Sequence, residues 1–250
     1  MSDRIKKCFA KAKAEGRGAF VAYLTMGYPT LEQSEAAADA LVAGGADIIE
    51  LGVPFSDPFA DGAVIRRAAD AALKNGVTLA GVLAEIPALR RRHPDTPLVI
   101  FTYYNVIFSY GLKRFADEAA ACGVDAVLVV DLPLEERREL LDVLRPAGLT
   151  LVPLVAPTTG PERIRASAKG LEDSFLYAVT VKGTTGQRDA LPSELVARLG
   201  AIKALVDIPV VAGFGIRTPE EGAAVAAQCD GFVIGSALVE RFMRRVHPVV

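Results

Sequence analysis

The chain has 250 residues, 28 Lys plus Arg against 30 Asp plus Glu, a net charge of −2, and 51% apolar residues. That near-balance of charge excludes a surface built to displace counterions from nucleic acid, and the apolar fraction excludes wholesale disorder. No apolar run approaches the roughly 18–20 residues that span a bilayer. Residues 1–9 carry charges but no apolar export core, so a cytoplasmic location is expected.

Short β-branched runs recur along the chain, each followed by an amphipathic stretch. Strands are predicted at Phe20–Thr25, Ile48–Leu51, Leu98–Thr102, Ala126–Val130, Leu149–Leu154, Phe175–Thr180, Val210–Ala212 and Gly231–Ile234. Helices are predicted at Leu31–Ala43, Leu79–Arg92, Gly111–Ala121, Glu135–Leu144, Glu162–Ala168, Ser193–Leu205, Pro219–Ala227 and Ser236–Arg245, with a further short one over Ala63–Lys74. Thr30 with Gln33 makes a capping box, and Thr218-Pro219-Glu220-Glu221 supplies a cap, a proline at the first helical position and acids in the first turn. Eight strands alternating with eight main helices need crossover connections and hence a parallel sheet. A spacing of about 31 residues per strand suits the (β/α)₈ unit. No linker-like break in composition divides the chain. The expected fold is α/β: a single TIM-barrel domain over residues 1–250 with extra short helices in the βα loops. A doubly wound open sheet is the competing arrangement.

The scarce residues narrow the chemistry. Cys8, Cys122 and Cys229 are odd in number and far apart, which disfavours a disulfide framework or structural zinc, and Cys122 and Cys229 read as small buried thiols. His93 ends a helix before a proline, and His247 lies near the C-terminus, with no nucleophile or second ligand close to either in sequence. No metal site is expected, and acid–base work falls to carboxylates, Tyr or Lys. The basic run Arg90–Arg92 reads as a solvated helix end complementing the dipole.

The most informative stretch follows the second strand: Glu50-Leu-Gly-Val-Pro-Phe-Ser-Asp-Pro-Phe-Ala-Asp-Gly62. Strand alternation puts Ile49 and Leu51 on the helix side, and Ile48 and Glu50 on the interior side. Glu50 thus points inward near the end of its strand that carries chemistry in barrel enzymes, where apolar neighbours oppose its ionisation. The competing reading is a buried Glu paired to a cation, but no Lys or Arg occurs between Tyr23 and Arg66. Asp61 follows in a loop stiffened by Pro54 and Pro58, whose Phe55 and Phe59 suit a lid or contact surface; the plainer reading of Asp61-Gly62 is a turn. After the last three strands come Gly183-Thr-Thr-Gly186, Gly213-Phe-Gly215 and Gly235-Ser-Ala237. Together they suit an anion held by backbone amides and a helix N-terminus.

The run Glu50–Gly62 resembles the tryptophan synthase α chain family. Phe20–Pro29, Tyr103–Phe108 and Ala126–Pro133 extend the resemblance over most of the chain. The resemblance implies a retro-aldol cleavage of indole-3-glycerol phosphate to indole and glyceraldehyde 3-phosphate, with Glu50 as general acid–base and Asp61 at the indole nitrogen. Tyr177, Thr185 and Phe214 match family positions around the substrate, Tyr23 is a further expected contact, and Phe101, Leu128, Leu154 and Phe214 are the rim candidates for binding the flat ring. Gly186, Gly215, Gly235 and Ser236 match the phosphate site, and for Tyr177 alone a core aromatic is the plainer reading. The chain itself is expected to need no cofactor. A pyridoxal-phosphate β chain is the expected partner in an α₂β₂ complex, docking on Pro54, Phe55, Asp57, Pro58, Asn105 and Phe108. One departure is Lys182, displaced by one position from the arginine that opens the family's sixth loop, which bears on loop closure. The last helix is also expected to be shorter than in many α chains. A stand-alone lyase releasing free indole, a degenerate barrel acting as an allosteric partner, and a related phosphate-binding isomerase are the alternatives.

Overall fold

The computed structural model describes residues 3–179, 193–213 and 215–246. Among these residues nine strand segments pair in parallel: β1 (Ala19–Thr25), β2 (Ile48–Gly52), β3 (Leu98–Thr102), β4 (Ala126–Val129), β5 (Thr150–Leu151), β6 (Leu154–Val155), β7 (Leu176–Val179), β8 (Val210–Gly213) and β9 (Gly231–Ile234). Their spatial order is β5-β4-β3-β2-β1-β9-β8-β7-β6. The fifth predicted strand is thus two pieces. Pro153 lies between them and has no N–H to give to a ladder. The first piece pairs with β4 and the second with β7. The handover is continuous, because Val152 N–H donates to Val127 O (2.8 Å) and Pro153 O accepts from Tyr177 N–H (2.8 Å). Both ends of the strand order are one stretch of chain, so the sheet closes into a barrel of eight strands.

Alternation divides each strand between two cores. Val21, Tyr23, Ile48, Val99, Phe101, Leu128, Tyr177, Val211 and Val233 fill the interior. Ala22, Leu24, Ile49, Leu51, Leu98, Ile100, Val127 and Val129 face the helices on one side, and Leu176, Ala178, Val210, Ala212 and Phe232 those on the other. The outer ring includes α2 (Leu31–Ala43), α3 (Ala63–Lys74), α4 (Leu79–Arg92), α6 (Leu112–Cys122), α7 (Arg137–Leu144), α8 (Pro161–Ala168), α9 (Ser193–Lys203), α10 (Pro219–Ala226) and α11 (Ser236–Val246). Most boundaries fall within two residues of expectation, where helix ends fray. Thr180, at the end of the sixth predicted strand, lies outside the described residues.

Two helices have no counterpart among the predicted spans, although the second is one of the short loop helices that the fold class expects. The first, α1 (Arg4–Ala14), buries Ile5, Cys8, Phe9 and Ala12, which share one helical face, against the barrel interior. The Phe9 ring lies 5.6 Å from that of Phe175, just before β7, so α1 stoppers the N-terminal mouth. The second, α5 (Tyr104–Tyr110), is short and rich in aromatic and β-branched residues, and has one fully buried side chain, Ile107. Cys8 and Cys229 are buried, while Cys122 is only half-buried because it ends its helix.

The same N-terminal mouth is tied by a repeated device. Asp47, Asp125 and Asp230 each stand immediately before a strand, and each carboxylate accepts a backbone N–H from the neighbouring strand: Phe20 (2.8 Å), Leu98 (2.9 Å) and Val210 (2.9 Å). Each also pairs with a cation, Asp47 with Arg17, Asp125 with Arg4 and Arg90, and Asp230 with Lys203. The expectation that Arg90–Arg92 is a solvated face holds for Arg91 and Arg92, which are exposed, and fails at Arg90, which is largely buried. Arg90 bonds the carbonyls of Gly123, His93, Pro94 and Thr96 as well as Asp125, and Arg92 bridges Glu35 and Asp39 on α2. The charged partner of Arg90, Asp125, lies thirty-five residues away, out of reach of a local reading.

Removing the Asp125 carboxylate leaves two guanidinium groups and a buried N–H without their acceptor. Asp125→Ala should destabilise the chain by about 3 kcal/mol, and Asp125→Asn, which still accepts from Leu98, by less. Urea unfolding of both variants tests this.

Candidate active site

Barrel pleating brings the C-terminal half of β1, β2, β3, β4, β6 and β7 to one cavity mouth. Tyr23 lies in register with Glu50, and Glu50 with Val99. Phe101 is in register with Leu128, and Leu154 with Tyr177. Tyr23, Phe101, Leu128 and Tyr177 belong to the interior cluster, with Leu154 packed against it. The Tyr23 and Phe101 rings meet edge to face at 5.1 Å. These aromatic and aliphatic walls suit a flat apolar ring.

Glu50 stands among them with 0% exposure. Among the described residues neither carboxyl oxygen has a hydrogen-bond partner, and no cation pairs with it. Burial alone pushes its pKa up to about 8. A carboxyl so placed stays protonated at neutral pH and is poised to give a proton away. Tyr23 and Tyr177 sense it: burial first, then the charges of Glu50 and Asp61, raise both phenols above their ordinary value.

Two glycines make room for those phenols. A Cβ on Gly52 would lie 2.3 Å from the Tyr23 hydroxyl, and one on Gly213 would lie 2.1 Å from that of Tyr177. Both glycines end their strands, at β2 and β8. Sequence reading attached Gly213 to anion binding and gave Gly52 no role; contact with a ring from another strand is a long-range fact.

Asp61 sits in the loop between β2 and α3. Tyr103 O–H donates to Asp61 Oδ2 (2.9 Å), and Tyr103 Oη accepts from Ala60 N–H (3.2 Å). Burial raises the Asp61 pKa, opposed by the Tyr103 hydrogen bond and by Arg66. Tyr103 was not among the residues singled out from sequence, although it opens the Tyr103–Phe108 run. Its position three residues after Ile100, on the interior side, was the available signal.

Gly235 follows β9, and Ser236 opens α11. A Cβ on Gly235 would sit 3.5 Å from the Tyr23 Cβ, which sets this helix start beside the strand residue paired with Glu50. Gly215 follows β8 with φ +87°, a conformation that favours glycine. Thr185, Gly186 and Phe214, and with them Lys182, lie outside the described residues. His247 does too.

The loop surface is apolar outside as well as inside. Phe59 is 75% exposed and Phe108 59% exposed. Asn105 and Asp57 are exposed and Phe55 is partly so, its ring 5.0 Å from Tyr103. Pro54 and Pro58, expected on a contact surface, are instead buried in the isolated chain. Phe59 presents the ring that they do not.

The sequence profile of the family described as tryptophan synthase alpha chain matches residues 9–247. A tryptophan synthase alpha chain of Citrifermentans bemidjiense is 46% identical over 239 residues, 96% of this chain and 89% of the relative. One of Rhizorhabdus wittichii is 46% identical over 95% of this chain and 87% of its own length. The crystal structure of the alpha chain from Legionella pneumophila superposes with a TM-score of 0.90 at 34% identity, covering 99% of this chain and 90% of that one. A chain of tryptophan synthase from M. tuberculosis, in an aminoacrylate-bound form, gives 0.87 at 35% identity, covering 97% and 93%.

The state of Glu50 has a thermodynamic consequence. Its native pKa is raised above the value of 4.5 that it has when unfolded, so its contribution to stability is complete below about pH 4.5 and is lost as pH rises through about 8. Glu50→Gln does not titrate. Relative to the parent chain it should gain on the order of a few kcal/mol between pH 5 and pH 9, with the difference levelling off above about 8. Parallel urea-stability curves for the two proteins across that range would show a Glu50 that titrates normally.

Proposed function

Since the chain belongs to the tryptophan synthase alpha chain family, we propose that its cleavage of indole-3-glycerol phosphate to indole and glyceraldehyde 3-phosphate is carried by Glu50 and Asp61. The observation that carries this reading is the Glu50 carboxyl, fully buried and without a partner among the described residues, on the interior face of β2. The ring of the substrate lies between Phe101, Leu128 and Leu154, near the Tyr23 and Tyr177 phenols. The phosphate sits at Gly215, Gly235 and Ser236, where backbone N–H groups and the α11 dipole attract it. Thr185, Gly186 and Phe214 complete the enclosure in this reading.

Protonated Glu50 gives its proton to the ring carbon C3. The ring becomes cationic, with charge centred toward N1, and Asp61 accepts the N1–H hydrogen bond and stabilises that charge. The bond between C3 and the adjoining glycerol carbon then breaks, and its electrons return to the ring and restore aromaticity. The hydroxyl on that glycerol carbon, the C3′ hydroxyl, loses its proton as the aldehyde forms. Glu50, now a carboxylate, receives it and is ready for another turn. Apolar walls serve both halves: they keep the acid protonated beforehand and exclude water during the transfer.

These steps use only side chains of this chain and the substrate, and pyridoxal phosphate belongs in this reading to the β partner. The exposed Phe59 and Phe108, with Phe55, Asp57 and Asn105, form the docking face for that chain, and the assembly is α₂β₂. Exposed aromatic rings ringed by polar groups match the anatomy of such interfaces. Released indole then passes to the β chain for tryptophan synthesis.

Glu50→Gln should abolish indole release while leaving the far-ultraviolet circular dichroism unchanged. Asp61→Asn should lower kcat by about 10²–10³-fold, the loss typical of one electrostatic stabiliser. Parent kcat/KM should fall as pH rises through about 8, when Glu50 loses the proton it must donate. The assay is indole release from indole-3-glycerol phosphate, with and without a β chain. Parent-level turnover by Glu50→Gln would refute the assignment of the acid, and a high rate without any β chain would favour a stand-alone lyase.

A further inference from the structure

Three loops of the barrel rim meet at Tyr103, which is buried at 2% exposure directly after β3. Its phenol bonds the preceding rim loop twice, donating to Asp61 Oδ2 (2.9 Å) and accepting from Ala60 N–H (3.2 Å). Phe55 and Phe59 of that same loop pack on its ring, at 5.0 and 5.5 Å between centroids. The next residue, Tyr104, donates its backbone N–H to Asp131 Oδ1 (2.7 Å) from the loop after β4. The backbone on either side of the phenol is therefore anchored to β3 and to a third loop, while the phenol itself holds the loop that bears Asp61.

We propose that Tyr103 is a positioning residue for the cleavage reaction: acting through Asp61, it fixes the place and orientation of the carboxylate that receives the ring N–H. The inference rests on the reading of Asp61 given above. The loop from β2 to α3 has two prolines but no regular structure of its own, and without an anchor the carboxylate at its end would sample several positions. The phenol supplies that anchor and is pushed up by burial and by Asp61, so it remains an O–H donor throughout the working pH range. It also opposes the burial that favours a protonated Asp61. The other groups acting on this carboxylate are Arg66 of α3, which also favours its ionised form, and the Tyr23 and Tyr177 phenols of β1 and β7, which Glu50 reaches as well. Asp131 acts on Tyr103. The hydroxyl thus has two effects that a packing residue lacks, a fixed direction for Asp61 and a lower proton affinity.

Tyr103→Phe keeps the ring between Phe55 and Phe59 and removes only the hydroxyl. With purified chain and indole-3-glycerol phosphate, kcat should fall about ten-fold with KM changed by less than about two-fold. The acid limb of kcat/KM, which reports the free enzyme, should move up by about one pH unit as Asp61 loses its donor. In an Asp61→Asn background the same substitution should change the rate little, because the pathway through the carboxylate is already cut. An unmoved acid limb, or an equal fall in both backgrounds, would overturn the proposal while leaving Asp61 in its role. Parent-level turnover by Asp61→Asn alone would overturn the reading of Asp61, and this proposal with it.

Discussion

A carboxyl group held out of water with no partner is costly, and the site is arranged around that cost. Glu50 is placed in the interior by its parity on β2, one residue from Ile49 and Leu51, which serve the helix side. A slip of one residue would exchange them and put the acid against the helices. The closed ring prevents such a slip, since β2 is bonded on both sides, to β1 and to β3. A strained protonation state is thus kept in place by backbone hydrogen bonds, each ordinary in itself. The chemistry and the barrel are linked through register.

The two mouths of the barrel divide the labour. The N-terminal mouth holds the satisfied charges: Asp47, Asp125 and Asp230 each take a backbone N–H and a cation, and α1 closes the opening with apolar side chains. These three carboxylates have partners, so their burial leaves no charge uncompensated. The C-terminal mouth is the reverse, with an acid that has none among the described residues and a second carboxylate, Asp61, held by one phenol. Stability gathered at one end tolerates the unsatisfied groups at the other. Function in a barrel accordingly concentrates where the polar accounting is incomplete.

Tyr103 shows how inner and outer surfaces of the rim come to share parts. The Phe55 and Phe59 rings that pack on it also belong to the apolar outer face, while its hydroxyl reaches inward to Asp61. A partner pressing on that face would press on the ring that directs the carboxylate. The contact runs through one side chain and needs no long relay.

Much of this was legible in the sequence, for reasons that are local. Alternation of apolar residues gave the strands and the inward direction of Glu50, and helix caps such as Thr30 and Thr218 gave helix starts, because both depend on neighbours within a few residues. The run from Glu50 to Gly62 gave the family, since that loop combines prolines, phenylalanines and acids in a fixed spacing. The break at Pro153 was written in the residue itself, yet only the pairing of its two flanks with β4 and β7 showed that it closes the ring. Arg90 looked like a solvated charge because its partners, Gly123 and Asp125, lie more than thirty residues away. The lack of a partner for Glu50 among the described residues, the phenols over Gly52 and Gly213, and the grip of Tyr103 on Asp61 depend on strands and loops far apart in the chain. Periodicity fixes which side a residue faces; what it meets there is set by how the whole ring closes.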